Sequence, residues 1–279
     1  MSQSDDNVEV WSGKSRTDEN FPVGSRLIAR RHREPIHRFY TFARNADDIA
    51  DSSDLSPDEK LARLTIMEEV LLGRRSTGSP SASALRVSLA QTGVTSAHAT
   101  DLLLAFRQDA VKSRYATIDE LYSYCHYSAV PVGRYMLDLH GEHHECHSSS
   151  DALCISLQIL NHMQDCAKDL RELGRCYLPL ALLDHFGAKV DDLLLPAETP
   201  ALRRVFITLL DRIDRMNQAA SELPEIVHNR RLRLETGVIH GLSKRLARRL
   251  ASNDPIADRV KLSKSDAVFS ILASVFYLI

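Results

Sequence analysis

Two acidic runs, Asp47-Asp48-Ile49-Ala50-Asp51 and Asp165-Cys166-Ala167-Lys168-Asp169, each set two carboxylates four residues apart inside an apolar, helix-like stretch. On a helix that spacing puts both on one face, roughly 6 Å apart along the axis. Like charges so placed oppose helix formation and burial, so they call for a cation. Carboxylate oxygens with open positions suit magnesium, which keeps several waters and bridges to phosphate oxygens. Two such pairs, far apart along the chain, predict two helices facing each other across divalent ions and an anionic ligand.

The flanking residues extend the pattern. Tyr40, Arg44, Asp47 and Asp51 share one helical face, and Gln158, Asn161, Asp165 and Asp169 repeat nearly the same stripe. The other faces carry Phe39, Phe42, Ile49, Leu153, Leu157, Leu160 and Met163, which are core residues by type. An isolated D-x-x-x-D on a helix is ordinarily a solvated face. Two copies with matched polar stripes predict the walls of a cavity. Asp48, about 100° around the helix from Asp47, is an additional candidate ligand. Arg171 and Arg175 follow the second pair, where guanidinium groups can grip a diphosphate bidentately.

The elements that position these groups read as helices almost throughout. Pro35 suits the first turn of a helix running through Asp51. Ser56-Pro57-Asp58-Glu59 and Thr117-Ile118-Asp119-Glu120 read as capping boxes, and Ser79-Pro80 and Thr199-Pro200 as further starts. The helix from Thr117 extends to His140, with a kink or break expected at Pro131. A helix from about Asp151 to Glu172 carries the second acidic pair, and a basic one spans Asn229 to Leu250. No proline- or glycine-rich linker divides the chain. The expectation is one all-α domain over residues 20–279, after a flexible tail over 1–19.

Bulk composition narrows the classes. The 279 residues, 44% hydrophobic, supply a sizeable core. A net charge of −2 with dispersed basic residues argues against a nucleic-acid binder. Five cysteines without a C-x-x-C pair fit a reducing compartment. The polar, acidic start at Met1-Ser2-Gln3-Ser4-Asp5-Asp6 does not read as a signal or transit peptide. Ala267 to Ile279 is too short to span a bilayer, so it reads as a packed terminal helix, with membrane-surface contact as the second reading. The expected location is the cytoplasm.

The run Phe39 to Asp51 resembles the first aspartate motif of the squalene/phytoene synthase family. Asn161 through Asp165 and Asp169 to Arg175-Cys176-Tyr177-Leu178-Pro179 resembles the second. Tyr127-Ser128-Ala129-Val130-Pro131-Val132-Gly133-Arg134 lies where that family has a tyrosine-containing segment ending in Val-Gly. The resemblance implies an isoprenoid-synthase helical fold with a central active-site cavity and Mg2+-dependent ionisation of prenyl diphosphates. It implies metal binding by Asp47, Asp48, Asp51, Asp165, Asp169 and Asn161. Diphosphate and substrate contacts would come from Arg44, Gln158, Asn161, Arg171, Arg175 and Ser25, and carbocation steering from Tyr127, Tyr177 and Tyr40.

Glu19 to Leu27, Pro131 and Asp165 to Leu173 are similar to the family's branch in bacterial hopanoid biosynthesis. That branch is expected to turn presqualene diphosphate and water into hydroxysqualene without a reductant, in concert with other enzymes of the pathway. The alternatives are coupling of farnesyl diphosphate to squalene or presqualene diphosphate, and a non-catalytic assembly protein on the same fold. No G-x-G-x-x-G follows a strand, so no dinucleotide fingerprint is present.

Two signals compete. His140, His143, His144, Cys146 and His147 are zinc-compatible by type but not by spacing, and read as a solvated loop. Cys166 points away from the aspartate stripe and reads as a small buried side chain.

Overall fold

Helix starts are set by the residues that satisfy their free N–H groups. The structure, a computed structural model, describes residues 7–9 and 27–278. It contains α1 (Arg30–Asp51), α2 (Pro57–Leu71), α3 (Pro80–Thr92), α4 (Ala97–Val111), α5 (Ile118–Ser128) and α6 (Val130–His140). There follow α7 (His147–Leu173), α8 (Leu180–Phe186), α9 (Pro200–Ala220), α10 (Leu223–Ile226), α11 (Arg230–Ser252) and α12 (Lys264–Ser274). Ser56 caps α2 as a full box: its hydroxyl accepts the Glu59 N–H, and the Glu59 carboxylate accepts the Ser56 N–H at 2.8 Å. At α5 only half the expected box forms. Thr117 accepts the Glu120 N–H at 3.2 Å, but the Glu120 carboxylate turns to Lys112 and the Ala116 N–H.

Two boundaries differ from expectation, and the break expected near Pro131 forms. α1 begins at Arg30, so Pro35 lies inside it, and the Pro35 carbonyl accepts the Tyr135 hydroxyl at 3.0 Å. α7 begins at His147 because a 3-10 turn at His144–Cys146 feeds directly into it. The helix expected from Thr117 to His140 breaks at Ala129, which puts Pro131 in the first turn of α6 where its missing N–H is harmless.

Two apolar clusters hold the bundle. One joins Phe206, Leu209 and Ile213 of α9 to Leu160 and Met163 of α7 and Leu121 of α5. The other joins Phe42 and Ile49 of α1 to Met67 of α2, Leu85 of α3, Leu102 of α4 and Tyr135 of α6. Each such large side chain, once buried, contributes roughly 1.5–3 kcal/mol before conformational entropy is counted. α7, α9 and α11 contribute to both clusters. These three helices also share a buried polar knot. The Asn217 side-chain oxygen accepts the Ser243 hydroxyl at 2.7 Å and the Ser156 hydroxyl at 3.3 Å, and His240 Nε2 donates to the Asn217 carbonyl at 2.8 Å.

Residues 7–9, within the segment expected to be flexible, are bound. The Glu9 carboxylate accepts the Ser79 hydroxyl at 2.6 Å and the Ser81 N–H at 2.8 Å, at the start of α3. The rest of the 1–19 segment lies outside the described residues. Among the described residues no strand forms, and no helix is long and apolar enough to cross a membrane.

Candidate active site

Both acidic pairs lie at one end of the bundle, one at the C-terminal end of α1 and one at that of α7. Charge on one pair acts on the other. Burial, then Asp165, then Asp51 push the Asp169 carboxyl up to about 7. Burial and then Asp51 hold Asp47 well above the ordinary carboxylate range. Asp51 therefore acts on both helices' carboxylates.

Each pair is held by guanidinium groups. Arg44 lies 3.1 Å from Asp47 and 3.0 Å from Asp48, joining the two along α1. Arg175, just beyond α7, crosses to α1, 2.5 Å from Asp51 and donating to the Ala50 carbonyl at 2.9 Å. Gly174 makes this crossing, with φ of 65° ending α7 in the left-handed conformation that glycine adopts without strain. Arg259, from the segment after α11, grips Asp165 with both arms, at 2.5 and 2.8 Å. Sequence reading missed Arg259, because nothing in its local pattern ties it to a residue nearly a hundred positions earlier.

A buried aromatic box stands beside the carboxylates. Asp109 of α4 accepts the Tyr124 hydroxyl at 2.7 Å and the Tyr177 hydroxyl at 3.0 Å. Tyr177 stacks on His162 with ring centres 3.7 Å apart, and Gln158 contacts the same imidazole at 3.3 Å. Burial, then Arg175, push His162 down to about 3, so it is neutral at any ordinary pH. Tyr177 stands where the sequence implied. Tyr127 does not: it is half-buried on the apolar cluster, edge-on to His126. Tyr124, roughly 60° around α5 from Tyr127, supplies the hydroxyl beside the carboxylates. Tyr124 and Asp109 were both missed; the available signal was a polar atom spaced to fall on the buried face of an apolar helix.

The remaining expected residues divide. Tyr40, Gln158 and Asn161 are partly buried on the expected stripes. Arg171 is exposed, about 200° around α7 from Asp169, and is not brought into the group. Ser25 lies outside the described residues. Cys166 is buried, and burial pushes its thiol far up, as fits a packing role.

Below the carboxylates, α1, α6, α7 and α11 enclose a cavity of about 240 Å³ lined by Ile36, Val132, Met136, Leu153, Leu157 and Leu232, with Glu235 among its few polar members. Leu157 is roughly 12 Å down the helix axis from Asp165. α1 and α7 thus carry the carboxylates at their C-terminal ends and line an apolar cavity further down.

The donor set fits a hard divalent cation: acceptor oxygens, mutually repelling, compensated by guanidinium groups. Among the described residues no three His, Cys, Asp or Glu side chains gather closely enough to hold a metal by themselves. Magnesium suits such a site, since it commonly takes one or two carboxylates plus water and phosphate oxygens. In the histidine-rich loop Glu142 accepts the N–H groups of His228 and Asn229 at the start of α11.

Asp109 has a testable pH signature. Its carboxyl rises to about 6 through burial, even against Arg175 and two hydroxyls. The native state therefore keeps a proton that the unfolded chain releases near its ordinary value of 3.8. That contribution is fully present below pH 3.8 and is lost as pH climbs through 6. Relative to Asp109→Asn, the wild type should lose about 2–3 kcal/mol more stability on going from acid to neutral pH. Urea midpoints of both proteins across that range check this; parallel profiles would refute it.

Fold and site together define an all-α protein of the isoprenoid-synthase class. Residues 14–266 match the model of the squalene/phytoene synthase family, and the chain belongs to that family. It is 47% identical to a hydroxysqualene synthase of Rhodopseudomonas palustris, covering 94% of this chain and 89% of the relative. A hydroxysqualene synthase of Sinorhizobium fredii is 42% identical, over 88% and 84% of the two chains. The crystal structure of the squalene synthase HpnC from Alicyclobacillus acidocaldarius superposes with a TM-score of 0.74 at 31% identity, covering 85% of this chain and 91% of that one.

Proposed function

We propose that this chain converts presqualene diphosphate and water into hydroxysqualene, releasing diphosphate and a proton. The observation that carries the reading is the pairing of carboxylates and guanidinium groups at the ends of α1 and α7, helices that also line an apolar cavity, in a chain whose similar relatives carry that enzyme name. Magnesium, bound by Asp47, Asp51, Asp165 and Asp169 with Asp48 and Asn161 as further oxygen ligands, would supply positive charge against the leaving diphosphate.

The chain's own residues do the rest. Arg44, Arg175 and Arg259 bind and orient the diphosphate through charge-assisted hydrogen bonds. The apolar cavity excludes water from the cation left behind. The hydroxyls of Tyr124 and Tyr177, both fixed by Asp109, form the polar edge that steers it. Holding the one admitted water falls to Gln158 or Tyr40. Work at a membrane surface, and alongside other enzymes of hopanoid synthesis, belongs to the same reading, with the cytoplasm as the location.

Product analysis tests it. Purified protein and magnesium receive presqualene diphosphate or farnesyl diphosphate, each with and without NADPH. Hydroxysqualene from presqualene diphosphate alone is expected. Squalene formed only with NADPH, or coupling of farnesyl diphosphate with no turnover of presqualene diphosphate, would overturn the proposal.

Arg259 supplies a narrower check. Its pair with Asp165 is part-exposed, so Arg259→Gln should change stability by less than about 1 kcal/mol. Inhibition by inorganic diphosphate should nevertheless weaken about tenfold, the worth of a lost hydrogen bond between charged groups. Unchanged inhibition would limit Arg259 to a structural ion pair.

A further inference from the structure

We propose that the outward face of α12, with the arginine cleft at its start, docks on an anionic lipid bilayer. This deepens the membrane-contact part of the reading above, and its test requires no turnover. A helix that merely covers a core turns its apolar stripe inward. In α12 the order is reversed. Its buried positions are Asp266, Ser270 and Ser274, four residues apart on one face. Opposite them α11 presents Gly237 and Gly241. A Cβ at Gly241 would stand 3.1 Å from Ser270, and one at Gly237 2.9 Å from the Tyr277 ring. At Gly241 the two backbones approach closely enough to leave no room for a larger side chain, while Gly237 makes room for the Tyr277 ring.

The bulky side chains accordingly lie outside. Val268, Phe269, Ile271, Leu272, Val275 and Phe276 are between 40% and 78% exposed, clustered on one short helix and the turn after it. Contiguous apolar surface of that kind marks an interaction site.

Charge identifies the occupant. At the start of α12 a cleft of about 250 Å³ is lined by Arg245, Arg248, Arg249 and Asp266. The single carboxylate lies 2.7 Å from Arg249 and 3.6 Å from Arg245, and Arg248 adds a third guanidinium to the cleft lining, so positive charge is in excess. Exposed Lys261 and Lys264 add to the same end. The Arg245 guanidinium sits over the Phe269 ring, 5.1 Å from its centre, which makes the cationic cleft and the apolar strip one continuous surface. An apolar strip bordered by cations matches the boundary between acyl chains and phosphate headgroups.

Flotation with vesicles of phosphatidylcholine, alone or with 30 mol% phosphatidylglycerol, tests the inference on the full chain. Binding is expected to the mixed vesicles only, and to fall with added salt. Phe269→Gln with Leu272→Gln should abolish it. Arg248→Gln should weaken it about fivefold, as expected for one surface charge. Circular dichroism establishes that the variants stay folded, and both should keep wild-type turnover in detergent. No wild-type binding, or equal binding by the variants, would overturn the proposal. So would a dimer that dissociates on Phe269→Gln with Leu272→Gln without any vesicle binding, because the strip would then face a second copy.

Discussion

Asp169→Asn should lower turnover of presqualene diphosphate by about 10²–10³ while making the metal-free protein harder to unfold. The two effects have one origin. Burial and the nearby Asp165 and Asp51 raise the Asp169 carboxyl to about 7, so holding it ionised above that pH works against the fold. The sign follows from linkage: with the native pKa raised, the contribution to stability is present in acid and lost as pH rises through 7. An amide has no such loss. Relative to the wild type, the variant should therefore gain about 4 kcal/mol between pH 3.8 and about pH 8.5, about half of it by about pH 5.5. Urea midpoints without metal, beside turnover across a magnesium titration, measure both halves. A variant that loses activity and stability together would make Asp169 a structural residue.

Arg175 should behave in the opposite way. It is 6% exposed, holds Asp51 at 2.5 Å and donates to the Ala50 carbonyl, and its charge also offsets Asp109. Arg175→Met strands carboxylates that the fold has gathered around it. The expected loss is about 3–5 kcal/mol, the size found when one partner of a buried ion pair is removed. Turnover should fall by at least about 10² with it. Magnesium together with inorganic diphosphate should raise the melting temperature of the wild type. Arg175→Lys should recover part of the stability and little of the activity, because an ammonium keeps the charge but cannot span Asp51 and a backbone carbonyl with a planar fork. Equal recovery of both would mean that only the charge matters.

What the sequence reveals and conceals follows from the range of each interaction. Asp47, Asp51, Asp165 and Asp169 were legible because helical spacing is local and a like-charged pair in an apolar run contradicts its surroundings. The caps at Ser56, Ser79 and Thr199 were legible for the same reason. Arg259 and Asp109 were not, since their partners come from other helices and the intervening chain encodes no distance. Tyr124 and Tyr127 share one helix, and the side-chain pattern did not say which of them faces the acids. The choice rests on how α5 rolls against α4 and α7, a matter of tertiary packing. α12 shows the same limit from another side. Its apolar composition announced a packed helix, but the glycines that dictate which face packs are on α11.

The knot of Ser156, Asn217 and Ser243 acts as a register mark for the bundle. Ser156 and Ser243 are fully buried, so a one-residue slip of α7, α9 or α11 would strand hydroxyl and amide groups away from water. Such a slip would also turn the moving helix by about 100°. On α7 the carboxylates of Asp165 and Asp169 would swing out of line with Asp51, although the knot lies roughly 13 Å from Asp165. The aim of the acidic pairs is thus fixed from within the bundle, by three small polar side chains that touch neither pair.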